Sequence, residues 1–179
     1  MKERTKEEKP FCRGADNRHD RRVYGACRKF RILTVNDDCC RENSGLIADT
    51  SISGARVAQE LDALVRIYGK PACLVSDKRT EFIIKAILNW ANDNMVEWHC
   101  IDPGKPKQNG YIEAFNGSLR HECLNEEIFH NLADARRTLA LWRYDDNNVR
   151  PHFSLGNKTP ADARRALELF GGRCCKMTL

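Results

Sequence analysis

The period of the apolar positions changes several times along the chain, and each change marks an element. In "FRILTVND" the β-prone residues Ile32, Leu33 and Val35 form a strand pattern; a polar turn at Asn36 to Glu42 follows, then "GLIADT", and together they predict a hairpin. In "SGARVAQELDALVRIYG" the residues Ala55, Ala58, Leu61, Leu64, Val65 and Tyr68 fall on one helical face, with Ser53 as N-cap and Gly69 as stop. "PACLVSD" reads as a short apolar strand covered on both faces. "FIIKAILNWANDN" reads as a helix and "VEWHCI" as another strand. Pro103 to Gly110 then makes a basic, loop-like stretch that turns into an amphipathic helix. Downstream, "NLADARRTLALWRYDDNN" has Asn131 as N-cap and Leu132, Ala135, Leu139 and Trp142 along one side. "TPADARRALELF" has Thr159 as cap, Pro160 at the first helical position and Asp162 in the capping-box region, with Gly171 and Gly172 beyond its end.

This order of strands and helices predicts an α/β sheet with crossover helices, whose functional groups lie at strand ends and adjoining loops. Asp77 stands at such an end. The length of 179 residues and 41% apolar content fit one soluble domain with tails. The net charge of +5 is uneven: residues 1–31 hold 11 basic and 5 acidic side chains, and the rest is near neutral. A basic leader suits a polyanion, or is simply a solvated tail. No apolar run approaches the ~18 residues of a membrane span and no signal-peptide core opens the chain, so a cytoplasmic protein is expected. None of the nine cysteines forms a Cys-x-x-Cys pair. His99-Cys100 and His121-x-Cys123 are the places that offer mixed ligands to zinc, but free thiols in a reducing cytosol fit the positions better.

Glu113 lies three residues into the helix after Gly110, and Asn116 and Arg120 fall three and seven positions later on the same face. The 35 residues between Asp77 and Glu113 suffice for a helix, a strand and a loop that bring the chain back, so that both carboxylates share a metal ion. The competing reading makes Asp77 a turn residue and Glu113 a partner of the helix dipole; spacing alone leaves both open.

"VSDKRTEF", "PGKPKQNGYIEAFNGSLRHECLN", "RPHFSLGNKTPAD" and "RILTVNDDCCRENSGLIADTSISGARVAQEL" occur in this family's order, and from about Phe30 to Phe170 the chain resembles the catalytic core of bacterial insertion-sequence transposases, the group related to retroviral integrases. The resemblance implies a ribonuclease-H-like fold: a mixed central sheet with crossover helices, plus a C-terminal helical extension. It implies an Asp-Asp-Glu triad holding two Mg²⁺ (or Mn²⁺) ions, with Asp77 and Glu113 matching the second and third members. For the first, Asp16 precedes Asp77 by 61 positions and is the expected ligand, with Asp20 next; Asp37 and Asp38 fall in the hairpin turn, away from the family's metal position. The expected organisation is a basic leader over 1–12, the core over 13–128, the helical extension over 129–172 and a tail over 173–179.

Lys105 and Lys107 in the loop, with Arg120 on the helix, are suited to phosphate contacts, and Asn116 to orienting a phosphate or a base. Arg150-Pro151-His152 and Leu155-Gly156 match a motif after the core, in which His152 reads as structural. The resemblance implies DNA cleavage and strand transfer on transposon ends and target, by a homo-oligomer of at least two copies at the nucleoid, aided in some relatives by a separate helix-turn-helix subunit. Lys78-Arg79 stand where the family has Asn-Gly, Arg13 and Asn17 replace the aromatics flanking the first Asp, and Cys39-Cys40 replace Phe-Thr. These departures raise the expectation of a truncated or degenerate copy that only binds DNA or a partner transposase. A ribonuclease-H-type nuclease is the further alternative.

Overall fold

The computed structural model describes residues 21–22, 29–76, 81–100, 110–170 and 176–179. Strand β1 (Arg21–Arg22) pairs antiparallel with the start of β2 (Lys29–Asp37), and β2 pairs antiparallel with β3 (Asn43–Asp49) from Arg31↔Asp49 to Asn36↔Asn43. This is the predicted hairpin, extended by several residues at its open end. Helix α1 (Gly54–Tyr68), strand β4 (Cys73–Ser76), helix α2 (Glu81–Asp93) and strand β5 (Glu97–Cys100) follow, and β4 and β5 pair in parallel. Then come α3 (Gly110–Leu119), a π-helical turn (Arg120–Leu124), α4 (Leu132–Asn148), a 3-10 turn (Phe153–Leu155) and α5 (Pro160–Leu169).

The last strand, β6 (Lys176–Thr178), inserts in the middle of the sheet. It runs antiparallel to β2, with Asn36↔Thr178 and Asp37↔Met177, and parallel to β4, from Cys73↔Lys176 to Val75↔Thr178. The sheet order is therefore β3-β2-β6-β4-β5. Within the stretch 173–179 expected as a tail, Lys176–Thr178 thus form an interior strand. Met177 and Leu179 are buried in the core, and the Leu179 N–H donates to the Val75 carbonyl at 2.9 Å. Three residues are too few to show a period-two pattern, so no strand signal was readable there.

Alternation along β2 feeds two cores. Leu33 and Val35 point to one face, where Val57, Leu61 and Leu64 of α1 and Ile87, Trp90 and Ala91 of α2 cover them. Phe30 and Ile32 point to the other, under Phe115 and Leu119 of α3 and Ala135 and Leu139 of α4. The α1 face is largely the one predicted: Leu61 and Leu64 are buried and Ala58, Val65 and Tyr68 pack against the same core, while Val57 joins them and Ala55 is exposed. The helix docks closely on β3 where Gly45 leaves room: a Cβ there would sit 3.2 Å from a Leu64 methyl. Ser53, Asn131 and Thr159 cap their helices as read from the sequence, accepting from Arg56, Asp134 and Asp162 N–H respectively.

Helix α5 docks through charge. Arg164 Nε lies 2.6 Å from Glu42 Oε2, a carboxylate buried at the mouth of the hairpin. Neither atom meets hydrogen-bond geometry, so the contact is ionic rather than directed. Burial pushes the Glu42 carboxyl above its ordinary 4.5, and the Arg164 and Arg143 guanidiniums pull it back.

Two stability predictions follow from this packing. Leu119→Ala, at a fully buried site, should cost about 2–5 kcal/mol in urea unfolding, whereas Leu141→Ala, at a 67% exposed one, should change it by less than about 0.5 kcal/mol. Removing the counter-charge with Arg164→Ala should cost about 2–3 kcal/mol at neutral pH, below the ~3–5 kcal/mol of a fully buried pair because the Arg164 side chain is 37% exposed. Since the folded Glu42 carboxyl binds its proton more tightly than the unfolded one, its contribution is fully present below 4.5 and is lost as pH rises through the raised folded value. The Arg164→Ala loss should therefore shrink in mildly acidic buffer, and a loss independent of pH would contradict the pairing.

Candidate active site on the polar face of α3

Helix α3 has two faces set by its sequence. Ile112, Phe115 and Leu119 are buried, whereas Glu113 is exposed, with Asn116 and Arg120 half-buried along the same stripe. Glu113 sits in the first helical turn, where the helix dipole favours a carboxylate. Among the described residues no hydrogen bond or ion pair engages its carboxylate. Asn116 presents a buried Oδ1 that accepts no hydrogen bond. The carboxylate, the amide and the guanidinium predicted to share a face do share it.

Several contacts outside the predicted set hold this helix in place. The Tyr111 hydroxyl donates to the Arg41 carbonyl at 2.5 Å, and the Arg41 guanidinium lies 4.4 Å from the Tyr111 ring centroid. Arg41 adopts φ 62°, in the left-handed region, as the hairpin turn closes. Burial pushes the Tyr111 phenol up, well beyond its ordinary value, so it keeps the proton that it donates to Arg41. At the far end the helix widens into the π turn, which buries Cys123 and Leu124 together. Glu122 of that turn accepts from Arg150 Nη1 at 2.5 Å and from Trp142 Nε1 at 3.3 Å. His152 Nε2 lies 3.6 Å from buried Asp146, and its backbone N–H donates to the Lys158 carbonyl. Arg150 thus braces the turn that follows the helix carrying Glu113, while His152 packs against the end of α4.

Asp37 and Asp38 belong elsewhere. The Asp37 Oδ1 accepts from the Cys39 N–H at 2.7 Å, within the hairpin turn. Through β6 it is level with Leu74, so the Ser76 that leads into Asp77 lies about 7 Å further along the sheet and two strands away. Asp38 pairs with Lys176 at 2.7 Å and accepts from the Thr178 hydroxyl at 3.0 Å. Asp16, Asp20, Asp77, Lys105 and Lys107 lie outside the described residues. Cys39, Cys40, Cys73, Cys100 and Cys123 are in no disulfide. Burial, and secondarily Asp37, push the Cys40 thiol to about 12, which makes it a poor nucleophile. No helix among the described residues is long and apolar enough to cross a membrane.

Comparison with known proteins agrees with this geometry. Residues 94–160 match the family model described as "Integrase core domain". The chain is 44% identical over 135 residues to the "Insertion element IS407 uncharacterized 31.7 kDa protein" of Burkholderia multivorans, an alignment covering 75% of this chain and 49% of that protein. It is 43% identical over 134 residues to the "Insertion element IS476 uncharacterized 39.2 kDa protein" of Xanthomonas euvesicatoria, covering 75% and 39%. The chain therefore spans half or less of the length of these curated relatives. Among solved structures it is similar to the HTLV-2 integrase catalytic core domain in complex with magnesium, at TM-score 0.60 and 13% identity, covering 83% of this chain and 92% of that one. It is similar also to the BIV integrase catalytic core domain, at TM-score 0.56 and 18% identity, covering 85% and 93%. The mixed sheet with helices on its two faces is that of an integrase catalytic core in the ribonuclease-H-like fold, and the chain belongs with the insertion-element proteins that carry an integrase core domain.

Proposed function

We propose that this chain is the catalytic core of a transposase that cleaves and joins DNA with divalent metal ions. The observation that carries the proposal is the exposed Glu113 carboxylate in line with Asn116 on α3 and with Arg120 of the turn that follows. An exposed carboxylate is an oxygen donor suited to a hard ion such as Mg²⁺ or Mn²⁺, and ill suited to the soft ions that the cysteines would select. Asp16 and Asp77 are the proposed companion ligands. Two bound ions would activate an oxygen nucleophile and stabilise the leaving oxygen of a phosphodiester.

The remaining residues bind and orient. Arg120, at the end of the stripe, places a guanidinium where a DNA phosphate would pass, and Lys105 and Lys107 add charge from the preceding loop. Asn116, half-buried on the same stripe, carries an amide suited to orienting a phosphate or a base. Paired transposon ends would require at least two copies. The proposed setting is the bacterial nucleoid, with a separate helix-turn-helix subunit as a further partner.

One observation favours a second reading, a core that binds DNA or a partner transposase without catalysis. The strand beside β4 on the β2 side is Lys176–Thr178, which carries no carboxylate to set next to Asp77. Cleavage and joining of transposon-end duplexes in Mg²⁺ or Mn²⁺ separates the two. Under the catalytic reading Glu113→Gln and Asp77→Asn should each lower the rate about a hundredfold or more, matching the several kcal/mol of charge stabilisation a metal contributes. Products in equal amounts from the unaltered chain and both variants would remove the catalytic reading. In Mg²⁺ titration, Asp16→Ala should weaken binding as Asp77→Ala does; unchanged affinity would displace Asp16 from the ligand set. For DNA binding, Arg120→Ala should reduce the slope of log affinity against log salt by about 1, with no change in sequence preference.

A further inference from the structure

A second cluster of ligating side chains lies away from α3. In the parallel β4–β5 pair, Cys73 stands opposite Glu97, and His99 follows two residues later on the same face. Their ligating atoms all lie within 4.8 Å of one another, and the His99 Nε2 to Glu97 Oε2 distance is 3.6 Å. The opposite face of these strands is the packed one, where Trp98 joins the core and its indole N–H donates to the Ser76 hydroxyl at 3.0 Å. The cluster therefore faces outward. The Glu97 and His99 side chains are 79% and 66% exposed, free to adjust, while Cys73 is half-buried on a fixed strand.

We propose that Cys73, Glu97 and His99 form a binding site for a borderline-soft divalent cation, of which Zn²⁺ is the representative. One sulfur, one imidazole nitrogen and one carboxylate oxygen are the donor types that tetrahedral zinc accepts, and three protein ligands leave the fourth position to water. Ligands around such an ion stand about 3.5 Å apart, as follows from metal–ligand bonds near 2.0–2.3 Å. Turning the exposed His99 and Glu97 side chains about their χ angles closes the present spacing to that value without moving backbone. The parallel ladder supplies the pre-organisation, since adjacent strands at about 4.8 Å hold the ligand-bearing backbone in register. Lys176, across β6 from Cys73, does not occupy the site with its charge, because its ammonium is held by Asp38 at 2.7 Å.

The donor set separates this ion from the catalytic ones. A thiolate and an imidazole discriminate against Mg²⁺, whereas the all-oxygen set proposed around Glu113 favours it. Bound there, the ion would tie the starts of β4 and β5 together at the opposite end of β4 from Asp77. The site stands whether or not the chain catalyses strand transfer.

The test is titration of the full, reduced chain with Co²⁺, followed through the thiolate-to-cobalt charge-transfer band, and then back-titration with Zn²⁺. The expected result is one equivalent of Co²⁺ bound with that band, displaced by Zn²⁺ and untouched by excess Mg²⁺. Cys73→Ser should abolish the band, His99→Ala should weaken Co²⁺ binding about tenfold or more, and Cys39→Ser should leave both unchanged. His99→Ala alters an exposed position and keeps the test decisive if Cys73→Ser fails to fold. Absence of a band in the unaltered chain, its persistence in Cys73→Ser, or unchanged affinity in His99→Ala overturns the proposal.

Discussion

The three residues of β6 join two half-sheets that do not otherwise pair. Among the described residues, the antiparallel hairpin β2–β3 and the parallel pair β4–β5 meet only through Lys176, Met177 and Thr178. Backbone N–H and C=O groups buried in a sheet must be paired, since leaving one unpaired costs as much as a lost hydrogen bond. The Leu179 N–H on the Val75 carbonyl and the ladders on either side of β6 meet that requirement. With the slot filled, Met177 and Leu179 complete the apolar layer between β2, β4 and the helices α1 and α2.

The placement of α3 depends on that assembled sheet. Its apolar stripe rests on Phe30 and Ile32 of β2, and its N-terminal turn is tied to the hairpin through Tyr111 and Arg41. A buried polar contact closes the far side. Asn147 at the end of α4 exchanges two hydrogen bonds with the Asn43 backbone, each 2.9 Å, and Asn43 in turn reaches Asn36 on β2. Such a reciprocal amide contact has one register in which both groups are satisfied, so it orients α4 more sharply than apolar packing does. Glu113, Asn116 and Arg120 are consequently presented from a helix held at both ends, which suits a site that must keep a ligand in position.

Charge on this protein is sorted by function. Arg164 with Glu42 and Arg136 with Asp49 dock helices to the hairpin, and Arg150 with Glu122 ties the end of α4 to the turn after α3. Among the described residues, the exposed carboxylate of Glu113 is in none of these pairs.

Local physics in the sequence already determined most elements and the site helix. Cap residues Ser53, Asn131 and Thr159, the 3.6-residue spacing of Ala135 and Leu139, and the stripe of Glu113, Asn116 and Arg120 all depend on interactions within a few residues, and each appears in the structure as read. Motif order likewise carried the family and the fold class. What the sequence could not convey are interactions between distant segments. The identity of the strand between β2 and β4, the burial of Val57 in place of Ala55 on α1, and the meeting of Cys73 with Glu97 and His99 each depend on how the strands pair and on what the helices pack against. Register is a property of paired strands, and only the folded chain sets it.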